Sequence, residues 1–278
     1  MVMKFITLDT IIELAFQEDL GERGDVTSEA IFSDDRGTAR LISREEGVLA
    51  GAEVFSRVYS KLDDTLSVKF IRADGERIAG GQRIGELRGR VISILKGERT
   101  ALNFLSYLSG IATETRKYVE TAAAGKAVIL DTRKTLPGYR EMAKYAVTAG
   151  QGQNHRMGLY DMVMIKDNHI DAAGSITRAV EKVRSMWGRR FTLEVECRTL
   201  KDVEEALACD VEIIMLDNMS EDQVRSAVAL KTGEIVYESS GDMDLEKVKR
   251  YSCLGVDYIS VGKLTHSVRA HNFSLQME

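Results

Sequence analysis

The chain has 278 residues, of which 44% are hydrophobic and 29% are charged. That is enough to bury a large core, either in one barrel with an appendage or in two domains. The 38 basic residues are outnumbered by 43 acidic residues, for a net charge of −5, which argues against a general nucleic-acid-binding protein. The three scattered cysteines show no CxxC or zinc spacing and favour reduced thiols in the cytoplasm.

The N-terminal segment is predicted to form an amphipathic helix. Asp9 and Glu13 interrupt its apolar run, which excludes a signal sequence or a membrane span there. Ile12, Ala15 and Phe16 recur at helical spacing and would share one face.

Residues 37–95 show the alternation of apolar and polar residues that is typical of strands. The apolar positions are Ala39 and Leu41, then the run 66–70, then the run from Val91 to Leu95, with glycine-rich turns between them. This pattern predicts an antiparallel sheet with one exposed face. From about residue 98 the spacing becomes helical, and a long helix is predicted up to Gly125.

Short apolar runs then alternate with amphipathic helices. The runs lie at residues 127–130, 162–165, 191–195, 211–216, 234–237 and 258–261. Runs that are apolar on both faces, with helices between them, predict parallel strands. Six such units in series favour a closed or nearly closed α/β barrel over a doubly wound sheet, although the sequence leaves closure open.

Polar residues follow most of these runs, at the strand ends where the active site of such a barrel lies. Arg133, Lys134 and Lys166 follow such runs, and the loop before the run 162–165 adds His155 and Arg156. On neighbouring strand ends these five residues, which are cationic or can become so, would repel one another without an anionic guest. Arginine pairs bidentately with carboxylate or phosphate groups. The sequence therefore predicts a site for small, multiply anionic substrates.

Small and acidic residues complete the predicted site. Ser240, Gly241 and Gly262 follow the last two strands, where barrels commonly bind phosphate. Glu196 and Asp217 end adjacent strands and would suit Mg²⁺ or the hydroxyls of a ribose, or else would pair with the nearby cations. No HExxH or GxSxG motif is present, which disfavours a zinc hydrolase and a serine hydrolase.

Residues 131–170, DTRKTLPGYREMAKYAVTAGQGQNHRMGLYDMVMIKDNHI, resemble the signature of the quinolinate phosphoribosyltransferase family. GERTALNFLSYLSGIAT at 97–113 and the later segments LEVE, MLDN, ESSG and VGKLTHS resemble further parts of the family in the same order. The resemblance implies an N-terminal α+β open-sandwich domain at 1–108, on which the tail 266–278 packs. It further implies an incomplete, seven-stranded α/β barrel at 109–265.

The resemblance also implies the reaction. The family converts quinolinate and phosphoribosyl pyrophosphate to nicotinate mononucleotide, pyrophosphate and CO₂ with Mg²⁺. It implies that Arg133, His155 and Arg156 hold the quinolinate carboxylates. Arg99, in GERTALN, matches an arginine that one subunit of a homodimer places in the other subunit's site. Neither a nucleic acid nor a membrane is expected as a partner.

Four residues are implied to be catalytic. Lys134 and Lys166 would lie between quinolinate and the phosphoribosyl donor, and Glu196 and Asp217 would lie near the ribose and Mg²⁺, which they would bind directly or through the donor or water. A 5′-phosphate cradle is implied at three small residues: Ser240, Gly241 and Gly262.

Two stretches depart from the usual family pattern. The stretch Gly150–Gln153 replaces a glycine-rich run, and Lys263 stands where alanine is commoner. Both leave the reaction class intact and bear on fine specificity.

Other functions are compatible with these residues. Lys166 could form a Schiff base in a class I aldolase-like barrel. The same fold could serve as a non-catalytic sugar-phosphate sensor. A third alternative keeps phosphoribosyl transfer but changes the acceptor to another aromatic acid.

Overall fold

A computed structural model describes residues 7–231 and 233–278. The chain forms two compact units that do not follow chain order. The first contains the described residues up to Arg116, together with Thr135–Gln151 and Ser267–Glu278, and the second contains Lys117–Lys134 and Gly152–His266. Among the described residues, no helix carries the long apolar stretch that crossing a bilayer would require.

The first unit is built on an antiparallel sheet of four strands in the order β12-β1-β5-β3. Their bounds are β1 Arg36–Ser43, β3 Ser67–Phe70, β5 Arg83–Arg90 and β12 Phe273–Met277. A two-stranded sheet is formed by β2 Gly47–Val48 and β4 Arg77–Ile78. The C-terminal tail enters this unit as the edge strand β12, with Leu41 opposite Leu275.

Helices of the first unit bury apolar faces at helical spacing. They are α1 Leu8–Leu20, α2 Val26–Ile31, α3 Ala52–Leu62, the first part of α4 Val91–Ala122, and α5 Arg140–Ala149. In α3, Val54, Phe55, Val58 and Tyr59 are fully buried. The Tyr59 hydroxyl donates a hydrogen bond to the carbonyl of Ile94 at 3.0 Å, which ties α3 to α4.

One strand prediction was wrong. Residues Val91 to Leu95 open α4, and the strand lies just before them, at β5. Val91 and Ile94 are buried three residues apart, followed by Ala101 and Leu102 at helical spacing. The β-branched residues suggested a strand, but their buried positions follow the period of the helix.

The second unit is built on a parallel sheet of six strands in the order β6-β11-β10-β9-β8-β7. The strands are β6 Val128–Leu130, β7 Val163–Ile165, β8 Leu193–Cys197, β9 Ile213–Asp217, β10 Val236–Ser240 and β11 Tyr258–Ser260. The predicted α/β class is confirmed, and all six predicted parallel strands are present.

The strand order is that of an α/β barrel open between β6 and β7, which do not pair within the described residues. The resemblance implied seven barrel strands, whereas the parallel sheet of the described residues has six, and Gln153 forms an isolated parallel bridge with Leu130. Gln153 thus extends the β6 edge by one residue.

Six helices belong to the second unit. They are α6 Asp167–Ala173, α7 Ile176–Trp187, α8 Leu200–Leu207, α9 Glu221–Ala229, α10 Leu245–Tyr251 and α11 Lys263–His266. Ser220 and Gln223 form a capping box at the start of α9, and Ser175 and Thr199 cap α7 and α8. These short, well-capped helices connect the parallel strands and place every strand's carboxyl end at the same edge.

Candidate active site

The carboxyl ends of the parallel strands surround a cavity of about 500 Å³ in the second unit. Every site residue predicted from the sequence, except Arg99, lines this cavity: Arg133, Lys134, His155, Arg156, Lys166, Glu196, Asp217, Ser240, Gly241 and Gly262. Arg99 is an exposed residue of α4 in the first unit. The parallel sheet thus gathers residues from six strand ends into one site.

Cations form one side of the cavity. Arg133 and Lys134 follow β6, Arg156 precedes β7, and Lys166 follows β7. Burial, and secondarily the nearby Arg133 guanidinium, lower the pKa of Arg156. A guanidinium nevertheless stays protonated, so two positive groups lie close together in a partly buried place. Such a cluster is stabilised by an anionic ligand.

Lys166 projects from the first turn after β7 and pairs with a carboxylate. Its ammonium forms an ion pair with Glu196. Its backbone N–H donates to Nδ1 of His169 at 2.9 Å, and the His169 N–H donates to the Lys166 carbonyl at 2.8 Å. The segment Lys-Asp-Asn-His therefore fixes the start of α6, and with it the backbone position from which the Lys166 side chain extends.

The carboxylates of Glu196 and Asp217 lie on neighbouring strands and both line the cavity. Asp217 is the last residue of β9, lies opposite Ser240 of β10, and accepts a hydrogen bond from the Asn218 amide at 2.8 Å. Oxygen ligands of this kind are those that Mg²⁺ prefers, so the donor set fits this ion.

The loops after β10 and β11 are closely packed around two glycines. Gly241 has φ +113°, and an added Cβ would lie 2.8 Å from the backbone nitrogen of Asn218. At Gly262 an added Cβ would lie 3.1 Å from Lys134 and from His266. Neither position has room for a larger side chain, and both glycines line the cavity, which suits a loop whose backbone approaches a phosphate closely.

Replacing Gly241 with alanine is expected to raise the KM for a phosphate-bearing substrate by about tenfold or more. The strain of a positive φ costs about 1–2 kcal/mol, and the new methyl group displaces Asn218. Gly188→Ala is the matched control, because Gly188 has φ +55° at the end of α7 and open space around its Cβ position. Steady-state kinetics with thermal unfolding should show similar destabilisation in both variants but a kinetic defect only in Gly241→Ala. Equal kinetics for the two variants would contradict a role of Gly241 in binding the phosphate.

Apolar residues that the sequence analysis had not singled out also line the cavity. Met164, Met215 and Met243 lie beside the charged groups. Methionine offers polarisable, adaptable surface that suits an aromatic ring. Met164 lies two residues before Lys166, which follows β7, and Met215 lies two residues before Asp217 on β9, so alternation along the strands could have indicated both.

Two glutamates beneath the charged groups were also missed. Glu194 and Glu238 have 0% and 1% exposed side chains, on β8 and β10. Burial raises the pKa of each carboxyl to about 8; the proximity of Glu194 raises that of Glu238 further, whereas Arg156 and Lys166 oppose the rise at Glu194. Each lies two residues before a predicted site residue, and strand alternation was again the available signal.

The departures at Gln151 and Gln153 are accommodated by the backbone. Gln151 adopts φ 72°, a conformation that a glycine would adopt without strain. Gln153 accepts and donates backbone hydrogen bonds with residues of β6 and of the segment that follows it, at 3.1 and 2.8 Å. Both side chains are exposed.

These features define a class of protein: an α/β enzyme whose cavity, at the carboxyl ends of parallel strands, binds small polyanions. The family follows from comparison with known proteins. Residues 25–109 match the family model for the N-terminal domain of quinolinate phosphoribosyl transferase, and residues 111–276 match that for its C-terminal domain. The chain belongs to the quinolinate phosphoribosyltransferase family.

Individual relatives resemble the whole chain. A probable nicotinate-nucleotide pyrophosphorylase [carboxylating] of Bacillus subtilis (strain 168) is 42% identical over 275 residues, which cover 99% of this chain and 95% of the relative. A chloroplastic nicotinate-nucleotide pyrophosphorylase of Oryza sativa subsp. japonica is 41% identical, over 98% of this chain and 78% of the relative. The crystal structure of NadC from Streptococcus pyogenes is 39% identical, with a TM-score of 0.95 over 100% of this chain and 99% of that one.

Proposed function

We propose that this protein transfers the phosphoribosyl group of phosphoribosyl pyrophosphate to quinolinate and releases CO₂, forming nicotinate mononucleotide and pyrophosphate in NAD biosynthesis. It is a pentosyltransferase, a nicotinate-nucleotide pyrophosphorylase (carboxylating). The observation that carries the proposal is the cavity itself, in which a cation cluster, two carboxylates and two close-packed glycine loops meet in a chain of this family.

The first task of the site is to hold two anions together. Arg133 and Arg156 offer planar guanidinium groups that match carboxylate geometry, and the methionine side chains offer surface to the pyridine ring. Lys134 and Lys166 add positive charge between the acid and the donor. Held in this way, the pyridine nitrogen is oriented for attack on C1 of the ribose.

The transfer step needs no covalent intermediate with the protein. The bond from ribose C1 to the pyrophosphate oxygen breaks, positive charge develops on the ribose, and the pyridine nitrogen forms the new bond to C1. Glu196 and Asp217 stabilise the developing positive charge electrostatically. Mg²⁺, held by Asp217 and Glu196 directly or through the donor or water, would neutralise charge on the departing pyrophosphate.

Decarboxylation follows from the pyridinium that this attack creates. The bond between the ring and the adjacent carboxylate breaks, its electron pair stays at the ring carbon next to the positive nitrogen, and this carbon takes a proton from solvent water as CO₂ leaves. The cations that held the carboxylate position the group, and the ring nitrogen serves as the electron sink.

Product formation tests this proposal directly. The protein is incubated with phosphoribosyl pyrophosphate, Mg²⁺ and either quinolinate or nicotinate, and nicotinate mononucleotide and CO₂ are measured. Product and CO₂ from quinolinate only are expected. Folded protein that binds the donor but turns over neither acid would contradict the proposal and would favour another acceptor or a sugar-phosphate sensor.

We further propose that the protein works in the cytoplasm as a homodimer in which Arg99 of each subunit enters the partner's site. Two observations support the dimer: Arg99 is exposed on α4, and it does not line the cavity of its own chain. The three cysteines are free, which fits a reducing compartment.

Mixing two inactive variants is expected to restore activity if the sites are shared. After exchange of subunits between Arg99→Ala and Lys166→Ala, half of the dimers are mixed, and one site in each has both residues. About a quarter of wild-type activity should return. Arg133→Ala mixed with Lys166→Ala is the control, because each mixed site then keeps one defect. No recovery after verified exchange, or equal recovery in the control, would contradict the shared site.

A further inference from the structure

A buried cluster of His155, Glu194 and Glu238 lies beneath the cations of the cavity. Glu194 is two residues before Glu196 on β8, so its side chain points to the same side of the sheet but one layer deeper. Glu238 occupies the equivalent position two residues before Ser240 on β10. The proposed reaction uses neither glutamate directly.

The imidazole of His155 lies between the two carboxylates. Its Nε2 is 3.1 Å from Oε2 of Glu194 and 3.5 Å from Oε2 of Glu238, and only 7% of the His155 side chain is exposed. On the other side of the ring, Nδ1 accepts a hydrogen bond from the backbone N–H of Arg156 at 2.6 Å. A neutral ring that accepts at Nδ1 carries its proton on Nε2, so this proton faces the carboxylates.

Hydrogen bonds also hold the backbone of His155 and the side chain of Arg156 in place. The N–H of His155 donates to Oδ1 of the fully buried Asp131 at 2.9 Å. The guanidinium of Arg156 reaches the carbonyl of Met162 at 3.3 Å and the sulfur of Met164 at 3.5 Å. His155 is thus held by hydrogen bonds at its backbone and at Nδ1, while its Nε2 lies within 3.5 Å of both carboxyl groups, and Arg156 is held at its backbone and at its guanidinium.

Each glutamate has few other groups to bind. Among the described residues, both side-chain oxygens of Glu194 and Oε1 of Glu238 have no hydrogen-bond partner. Buried polar groups with so few partners are costly and persist where they serve a purpose. Here their shared contact is the His155 ring.

We propose that Glu194 and Glu238 are positioning residues that hold the His155 ring and, through its Nδ1, the Arg156 guanidinium in the geometry that recognises the carboxylates of the acid. Bidentate recognition requires groups placed within about 0.5 Å, a precision that a supporting layer of contacts provides. This role rests on the proposed function, since quinolinate is the acid that Arg156 would bind.

Leucine and glutamine variants separate this role from a general loss of structure. Glu194→Leu and Glu238→Leu remove the carboxyl groups that contact Nε2 of the ring and should each raise the KM for quinolinate by about tenfold or more. Glu194→Gln and Glu238→Gln keep a carbonyl oxygen and should retain most of the affinity. The KM for phosphoribosyl pyrophosphate should stay within about twofold in all four variants, and the variant Glu204→Gln, at an exposed position of α8, should match the wild type.

A spectroscopic readout does not depend on activity. The chain has four histidines, so the imidazole nitrogens of His155 can be assigned in ¹⁵N NMR by comparison with His155→Asn. The wild type should show the Nε2–H tautomer of His155. In the leucine variants, the ¹⁵N signals of the His155 imidazole should shift. This result holds even if quinolinate is not the substrate, so failure of the proposed function is distinguished from failure of the positioning role.

Several outcomes would overturn the role. These are an Nδ1–H tautomer in the wild type, folded leucine variants with unchanged quinolinate KM, or equal rises in both KM values. If the leucine variants do not fold, the test rests on two other results. An Nδ1–H tautomer in the wild type, or loss of most of the quinolinate affinity in the glutamine variants, would contradict the positioning role. A stoichiometric metal ion in the purified wild type that is lost in Glu238→Gln would instead make the cluster a metal site.

Discussion

Replacing Arg133 with alanine is expected to lower kcat/KM for quinolinate by about 100-fold or more. A bidentate guanidinium supplies two charge-assisted hydrogen bonds of about 1.5 kcal/mol or more each, and about 1.4 kcal/mol corresponds to tenfold. Arg133 follows β6, lines the cavity and lies close enough to Arg156 to affect its pKa, so the two guanidinium groups act on the same region. Steady-state kinetics with each substrate varied in turn measures the effect.

The fold should survive this substitution. Arg133 lies in a loop after the strand and is only partly buried, so the unfolding temperature should stay close to that of the wild type. Arg225→Ala, an exposed arginine of α9, is the matched control and should leave kinetics unchanged. Wild-type kinetics in Arg133→Ala would show that Arg133 does not contribute to binding the acid.

Replacing Lys166 with alanine is expected to reduce kcat by about 10²–10³-fold. The loss of one preorganised charge at a reacting centre has effects of this size. In addition, the Glu196 carboxylate loses its ion-pair partner and faces the cavity with its negative charge uncompensated, which repels the anionic substrates. Lys182→Ala, on the exposed side of α7, is the control.

A double variant separates the two parts of this loss. If the freed carboxylate contributes, Lys166→Ala with Glu196→Gln should have a higher affinity for quinolinate than Lys166→Ala alone. Equal affinities would assign the whole effect to the missing ammonium. Borohydride trapping with a carbonyl substrate completes the test: covalent labelling at Lys166 would favour the aldolase-like alternative, although a Schiff-base lysine would have to leave Glu196.

Much of the second unit could be predicted from the chain alone. Runs such as 211–216 are apolar on both faces, which only a strand covered on both sides can satisfy, and capping residues such as Ser220 and Thr199 mark where helices begin. Once parallel strands are inferred, the residues after them must meet at one edge. The cations and small residues of the cavity were therefore predictable without any knowledge of long-range contacts.

Other features were decided by tertiary contacts. Val91 to Leu95 could form either a strand or a helix, and packing of Val91 and Ile94 at helical spacing selected the helix. Helix α5 lies in sequence between β6 and β7 yet belongs to the first unit, where Tyr145 donates to Asp74. Neither outcome has a local cause.

The amino-acid sequence by itself determined the α/β class, the six parallel strands, the helix caps and the set of charged residues that meet at the strand ends, because these depend on residue periodicity and short-range capping. Only the tertiary structure decided that Lys166 pairs with Glu196, that Gly241 needs a positive φ, and that His155 lies between Glu194 and Glu238. The physical reason is that a carboxylate in a strand can face solvent, a cation or a second carboxylate. Which of these it faces, and how far it is removed from water, depends on residues far away in the chain.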